Sequence, residues 1–152
     1  MLGIRHKKDP MAINFHIDKV NRRIYSKATG LVTFEDLLNH IKSEVEPEIA
    51  SFSEIFDCTD ATTDLTVEQV RDLAEERRHI AQTRSAAPAA VVATNDLFFG
   101  MLRMFDMLTE TIRPMRVFRD VRSAEQWLDS IDSEAGPNCV KGEFPHPSKN
   151  PK

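Results

Sequence analysis

The stretch from Pro88 to Ile112 constrains the fold more than any other part of the sequence. Its first apolar residues, 89–93, are small or β-branched and do not alternate with polar residues. Such a run is typical of a strand that is covered on both faces, as in a parallel sheet flanked by helices. After polar residues 94–96, apolar residues recur at helical spacing and form one wide arc: Leu97, Phe98, Met101, Leu102, Met104, Phe105, Leu108 and Ile112. We therefore predict a buried central strand leading into the longest helix, whose arc faces the core.

Turn and capping patterns divide the rest of the chain into further elements. Alternating apolar residues at 13–18 and 23–30 predict an antiparallel hairpin that turns at Lys19 to Arg22. Strands are also predicted at 52–57 and 115–118. Helices are expected after Thr33 and at two capping boxes, 66–69 and 123–126, and the last helix should bury Trp127. These elements predict an α/β domain with a mixed, mostly parallel sheet, an N-terminal antiparallel hairpin and about four flanking helices.

Length and composition indicate one domain with its own core. The chain has 152 residues, and a domain of this size needs no metal or disulfide to hold together. We expect a flexible N-terminus over residues 1–10, the α/β domain over 11–131, and a disordered tail over 132–152, where glycines and prolines accumulate. Cys58 and Cys139 have no disulfide or zinc spacing, so Cys58 is interpreted as a packed thiol.

Charge and apolar content exclude several classes of function. The net charge of −4 lacks the basic excess of a nucleic-acid-binding protein. No signal-peptide core and no run of the ~20 apolar residues that span a bilayer is found, so we expect a cytoplasmic protein, and contact with a membrane surface stays open. The histidines, at 6, 16, 40, 79 and 146, show no metal-binding spacing. We expect no metal, no cofactor and no enzymatic activity, because no stretch assembles a catalytic set.

Several short segments of the sequence resemble those of one bacterial protein family. They lie at 30–37, 56–57, 99–105, 116–119 and 124–128, and they are similar to the small SpoIIAA-like proteins. These proteins resemble the STAS domains of anti-sigma factor antagonists and, more loosely, the CRAL-TRIO lipid-binding fold. The resemblance covers residues 11–131. It implies a STAS-like fold and a non-enzymatic module that binds a protein partner or a second copy of itself in a regulatory role.

The looser likeness implies an alternative, a carrier or sensor of a small apolar or amphipathic ligand. The Met- and Phe-rich helix from Leu97 favours that alternative, although such a face is more often simply core. One family feature is missing. Phosphorylated STAS domains carry a serine in an Asp-Ser-Ser-Gly-like phrase, whereas residues 62–66 here read Thr-Thr-Asp-Leu-Thr. This departure weakens a phosphorylation switch and leaves a plain binding role.

The segment from Asp57 to Asp64 is the first candidate site. It follows a buried strand and is rich in hydroxyls and carboxylates, so we interpret it as a polar loop that forms a functional rim. The candidate residues are Asp57, Thr59, Thr62 and Thr63. The alternative for Asp57 is structural, because aspartates at strand ends commonly accept hydrogen bonds from the chain that follows.

Four further residues are candidates for binding a partner or ligand. Arg77 lies in an apolar helix stripe, where it either pairs with an acid at a site or covers apolar surface while its head reaches water. Asn95 either holds a ligand at a helix N-terminus or simply caps that helix, and Thr94 is the other candidate for the cap. On the helical wheel, Phe99 lies opposite the core arc and beside Arg103. We therefore interpret Phe99 either as a contact with another chain or as an ordinary exposed aromatic residue.

Overall fold

The computed structural model describes residues 12–43, 51–81, 87–112 and 114–135. The strands are β1 (Ile13–Asp18), β2 (Arg23–Val32), β3 (Ser53–Thr63), β4 (Ala89–Ala93) and β5 (Met115–Phe118), and the helices are α1 (Phe34–Ser43), α2 (Val67–Ala81), α3 (Asp96–Leu108) and α4 (Val121–Ala135). The predicted N-terminus 1–10 and residues 136–152 of the predicted tail lie outside the described residues. Because α4 continues to Ala135, it crosses the predicted boundary at residue 131. None of the described helices combines the length and apolarity that a membrane span requires.

The sheet has the predicted mixed arrangement. Its strand order is β1-β2-β3-β4-β5; β1 pairs antiparallel with β2, and every other pair is parallel. Because the strand order follows the chain and parallel crossovers are right-handed, α1, α2 and α3 all lie on one face of the sheet. We call these three helices the helix layer. The last helix, α4, packs on the opposite face, against β3, β4 and β5.

The central strand β4 is covered on both faces, as predicted. All five of its residues are buried. Ala89, Val91 and Ala93 belong to the core under the helix layer, whereas Ala90 and Val92 belong to the core under α4. On the α4 side, Ala124 and Leu128 are fully buried, and Trp127 is half-buried at the edge of the same cluster.

Most of the predicted arc of α3 packs in or against the core, but the predicted placement of Leu97 and Phe99 is wrong. The buried residues Phe98 and Leu102 and the buried C-cap Thr109 cluster within about 40° on a helical wheel. The core-facing direction is therefore rotated toward Phe99, which is half-buried and packs against the core instead of lying opposite it. The same rotation leaves Leu97, in the first turn of α3, 52% exposed. The apolar residues of this helix nearly surround it, so their pattern did not fix its orientation.

The polar loop predicted after Asp57 is also wrong, because these residues continue β3. The strand pairs with β2 as far as Val32 and Thr63, with one register shift between Lys27 and Thr29. Ala61 and Thr63 are buried whereas Thr62 is exposed, which is the alternation of a strand. Threonine suits strands as well as loops, and the long β2 supplies the hydrogen-bonding partner.

Two predicted helix caps are confirmed and one is wrong. Thr33 and Asp36 exchange hydrogen bonds of 2.9 and 3.2 Å at the start of α1. Thr66 and Gln69 do the same at α2, at 3.0 and 3.1 Å. The predicted box 123–126 fails because α4 already begins at Val121, and Asp120 Oδ1 accepts the Ser123 N–H at 2.8 Å. This bond, together with the Ser123 hydroxyl, lowers the pKa of Asp120.

Candidate functional site

A cavity of ≈ 60 Å³ lies between the helix layer and the sheet. Strand alternation turns one set of side chains from β3 and β4 toward it, and the apolar stripes of the three helices close it from above. Most of its wall is apolar: Leu37, Ile41, Phe56, Leu65, Val70, Leu73, Ala89, Val91, Met101, Leu102, Phe105 and Met115. Three polar side chains, His40, Glu54 and Arg77, complete the wall.

Glu54 is the buried acid of the cavity. It lies on β3 on the same face as Phe56 and is only 3% exposed. Its Oε2 accepts a hydrogen bond from Ser26 Oγ at 2.8 Å and lies 2.7 Å from His40 Nε2. A carboxylate removed from water needs such partners. The His40 ring also stacks on Phe56 with centroids 4.7 Å apart, so α1 and β3 are tied together at this end of the cavity.

The order of these three groups differs from that of a nucleophilic triad. In such triads the histidine lies between the hydroxyl and the acid, so that it can take the hydroxyl proton. Here the Ser26 hydroxyl donates to Glu54, and His40 contacts the same carboxylate oxygen. This arrangement holds and orients a carboxylate; it does not activate Ser26.

Arg77 is the buried cation of the cavity. It lies on α2 in the same stripe as Val70, Leu73 and Ala74, and it is 5% exposed. Its head therefore does not reach bulk water, which removes one of the two interpretations of this residue from the sequence. A buried guanidinium is tolerated where acids or other acceptors surround it, and Glu54 lines the same cavity.

The residues of the predicted rim do not form one surface. Thr63 lies on the side of the helix layer, where its hydroxyl donates to the Val32 carbonyl at 2.7 Å and accepts the Leu65 N–H at 3.3 Å. Asp57 lies on the other face, where it accepts the Thr59 N–H at 3.0 Å and pairs with Lys27 at 3.3 Å. Partial burial acts to raise the pKa of Asp57, but these hydrogen bonds outweigh it and lower the pKa. Thr62 is exposed.

Asn95, Phe99 and Arg103 lie on or beside α3 and do not line the cavity. The Asn95 side chain accepts the Phe98 N–H at 2.9 Å, so Asn95 is the cap of this helix and Thr94 is not. The guanidinium of Arg119 lies 3.9 Å from the centre of the Phe99 ring and pairs with Asp96 at 3.0 Å. Arg103 is exposed.

This architecture matches a solved structure. An uncharacterised protein of the DUF3478 family from Shewanella loihica PV-4, whose structure has a SpoIIAA-like fold, is 18% identical to this chain and aligns with a TM-score of 0.52 over 82% of this chain and 99% of that one. The chain has a SpoIIAA-like fold. The predicted fold is thereby confirmed, and at this identity the similarity concerns the fold alone. No family model and no curated protein matches the sequence.

Within this SpoIIAA-like fold, sequence reasoning missed His40, Glu54 and Ser26. One signal was present: Glu54 stands between Phe52 and Ile55 in a segment that was predicted to be a buried strand. A charged residue inside a buried strand requires a partner. That partner is His40 on α1, and no local pattern links the two residues.

Proposed function

We propose that this SpoIIAA-like domain is a non-enzymatic binding module that takes a small, mostly apolar ligand into the cavity under the helix layer. The observation that carries the proposal is the wall of this cavity, which is apolar except for His40, Glu54 and Arg77. Small-molecule sites are typically apolar clefts with a few placed polar groups that orient the ligand.

The volume of the cavity limits the size of the ligand. A volume of ≈ 60 Å³ exceeds what one water molecule needs, roughly 10–15 Å³, and is less than half of the roughly 150 Å³ that holds benzene in an engineered cavity. The ligand is therefore a molecule of a few heavy atoms. A lipid chain would require α3 to move away from the sheet, so the cavity supports a sensor of small molecules better than a lipid carrier.

The chemistry of the buried groups supports binding over catalysis. Ser26 is bonded to a carboxylate and not to an imidazole. Burial raises the pKa of Cys58 far above its usual value, and the neighbouring Asp57 and Glu54 raise it further, so its nucleophilic thiolate form is disfavoured.

A protein-observed NMR screen with fragments of few heavy atoms tests this function. Binding should shift the methyl signals of Met101 and Met115, which line the cavity. Leu73→Phe, which fills the cavity from α2, should abolish the shifts, whereas Arg71→Phe on the exposed face of the same helix should preserve them. Saturable binding that Leu73→Phe leaves intact in a folded protein would contradict the proposal, as would the absence of any binding fragment.

A second candidate function, binding of a protein partner, is favoured by a separate surface. Leu31, at the end of β2, is 48% exposed, and Val67 and Leu97, which begin α2 and α3, are 44% and 52% exposed. All three lie at the edge formed by the carboxyl ends of the parallel strands, next to the starts of α2 and α3. Phe99 is a weaker contact candidate than these residues because it is half-buried and Arg119 covers its ring.

If this edge binds a second copy, sedimentation velocity of the wild type should show a concentration-dependent dimer. The double variant Val67→Asp with Leu97→Asp should then sediment as a monomer while keeping the wild-type melting temperature. The exposed pair Glu68→Asp with Gly100→Ala serves as a control, since space is open around Gly100. A monomer at every concentration would exclude self-association through this edge.

A further inference from the structure

We propose that the open edge of β1 pairs with the same edge of a second copy of the chain, so that two sheets join into one through backbone hydrogen bonds. The open edge is the side of β1 that faces away from β2. β1 is the first strand of the sheet, and among residues 12–43, 51–81, 87–112 and 114–135 no strand lies beyond it. This surface includes neither the cavity wall nor the exposed residues Leu31, Val67 and Leu97.

Hydrogen bonds on both sides of β2 show which backbone groups of β1 face the open edge. The Thr29 N–H donates to the Ala12 carbonyl at 2.9 Å, and these two residues continue the regular register of the hairpin. On the other side, the Arg22 carbonyl accepts the Ser53 N–H of β3 at 3.2 Å. The direction of the backbone groups alternates along a strand, and both bonds fit the same alternation. The N–H and C=O groups of positions 14, 16 and 18 therefore point toward β2, whereas those of positions 13, 15 and 17 point outward.

β1 lacks the features that usually keep the edge of a sheet from pairing. Such edges are blunted by lysine, proline, a bulge or a short strand. Residues 13–18 contain neither lysine nor proline, and their register with β2 is unbroken over all six positions. The Phe15 side chain is 47% exposed. The other edge strand, β5, has only four residues, follows Pro114 and exposes Arg116, so it is protected where β1 is not.

The residue pattern of β1 is self-complementary, which favours a second copy as the partner. Two copies related by a two-fold axis place their β1 strands antiparallel. All the outward groups are used when Phe15 opposes Phe15 of the second copy and position 13 opposes position 17, since each of these three pairs exchanges two N–H···O bonds. A shift by two residues would leave only two such pairs.

Side chains also match in this register. On the face of the helix layer, Phe15 meets Phe15 of the second copy, and Ile13 meets Ile17, so apolar side chains lie opposite apolar ones. On the other face, Asn14 opposes His16, and no charge lies opposite a like charge. The paired strip is smaller than a standard protein interface, so we expect a weak dimer.

Hydrogen exchange of the wild-type chain tests the pairing and its register. The amides at 13, 15 and 17 should exchange several-fold more slowly as the protein concentration rises into the millimolar range, in step with a dimer seen by sedimentation velocity. The amides at 14, 16 and 18, which face β2, should not depend on concentration. Protection of positions 13, 15 and 17 in a monomer at every concentration would show that another segment of the chain covers the edge, and would overturn the proposal.

Variants at position 15 assign the dimer to this edge. Phe15→Lys places two like charges opposite each other and should abolish the dimer. Val20→Lys adds the same charge in the hairpin turn, where Val20 is 91% exposed, and should preserve it. Phe15→Pro removes an outward N–H and should also give a monomer, because proline is tolerated where an edge N–H faces solvent. A monomeric wild type would overturn the proposal, as would a dimer that survives both Phe15 variants. Loss of that dimer in Val67→Asp with Leu97→Asp would place the contact at the carboxyl ends of the parallel strands instead.

Discussion

The two faces of the sheet are built from the same strands but are packed differently. Under α4, the core consists of Ile55, Ala90, Val92, Ala124 and Leu128, and the polar contacts, such as Arg23 with Asp129 at 3.3 Å, lie at its margin. Under the helix layer, buried polar groups and a cavity interrupt the core. One helix on three strands closes a small apolar interface, whereas three helices from successive crossovers leave a space between them.

This difference suggests a division of roles. In the proposed function, the α4 face supplies stability, and the helix-layer face supplies the ligand site at the expense of packing density. Close packing is the norm for protein interiors, so a cavity with buried charged groups is a departure that a binding function would explain. Variants on the two faces should therefore have different combinations of effects on stability and ligand binding.

The largest expected effect is on the α4 face. Leu128 is fully buried there, so Leu128→Ala should lower the free energy of unfolding by about 2–5 kcal/mol. Ligand affinity at 15 °C, where the variant is still folded, should stay at the wild-type value. Urea unfolding and methyl-shift titration measure the two quantities. A change in affinity comparable to the change in stability would show that the faces are coupled, and Glu125→Ala, exposed on the same helix, is the control.

The sequence predicted the elements that depend on local signals. The run 89–93 identified the doubly covered strand, and the capping boxes of Thr33 and Thr66 are contacts between residues three positions apart. The hairpin turn at Lys19 to Arg22 is equally local. Such features are encoded where they form, which is why they could be predicted.

The errors and omissions concern contacts between distant segments. The length of β3 depends on β2, and the orientation of α3 depends on which of its apolar residues meet the sheet. The site depends on residues from three elements, with Ser26 and His40 meeting Glu54 across 28 and 14 positions. Arg77 was singled out because an arginine in an apolar stripe is a local anomaly, although its surroundings could not be predicted.

On the helix-layer face, Glu54→Gln should lower stability and change ligand affinity. The glutamine keeps the shape, but Ser26 and His40 lose a charged acceptor, so the free energy of unfolding should fall by about 1–3 kcal/mol. Because Glu54 lines the cavity, the loss of its charge should also change the affinity for fragments that bind there. Urea unfolding and the methyl-shift titration of these fragments check the two results. A variant as stable as the wild type would mean that the charge of Glu54 does not contribute to stability on this face. Glu125→Gln, on the exposed side of α4, serves as the matched control.

The end of β3 offers a comparison between neighbouring threonines. Thr63→Val removes a buried hydroxyl that makes two hydrogen bonds, so it should cost about 1 kcal/mol or slightly more. Thr62→Ala, on the exposed side of the strand, should change stability by less than about 0.5 kcal/mol. Chemical unfolding measures both. Equal costs would indicate that β3 does not keep its alternation up to its last residue.

Two aspartates on opposite sides of the sheet should contribute to stability with opposite dependence on pH. Burial, reinforced by Glu110, raises the pKa of Asp106 on α3 from 3.8 to about 6, while Arg103 and Arg116 act in the other direction. The folded state then binds more protons than the unfolded state between these values, so stability falls as the pH rises through this window. The pKa of Asp120, at the start of α4, is lowered by its bonds to Ser123, so its contribution is present above 3.8 and is lost as the pH falls further.

Asp106→Asn should therefore stabilise the protein above pH 6 and have no effect of this kind below pH 3.8. The full shift would correspond to about 3 kcal/mol, but Asp106 is only half-buried and water screens it, so about 1 kcal/mol is expected. Asp120→Asn should instead destabilise at neutral pH and lose its effect in acid. Urea unfolding of both variants and the wild type at pH 3.5, 5 and 7.5 measures the two signs. If Asp106→Asn destabilises at pH 7.5, the carboxylate makes a favourable contact on α3 that outweighs its burial, and the contrast between the two aspartates fails.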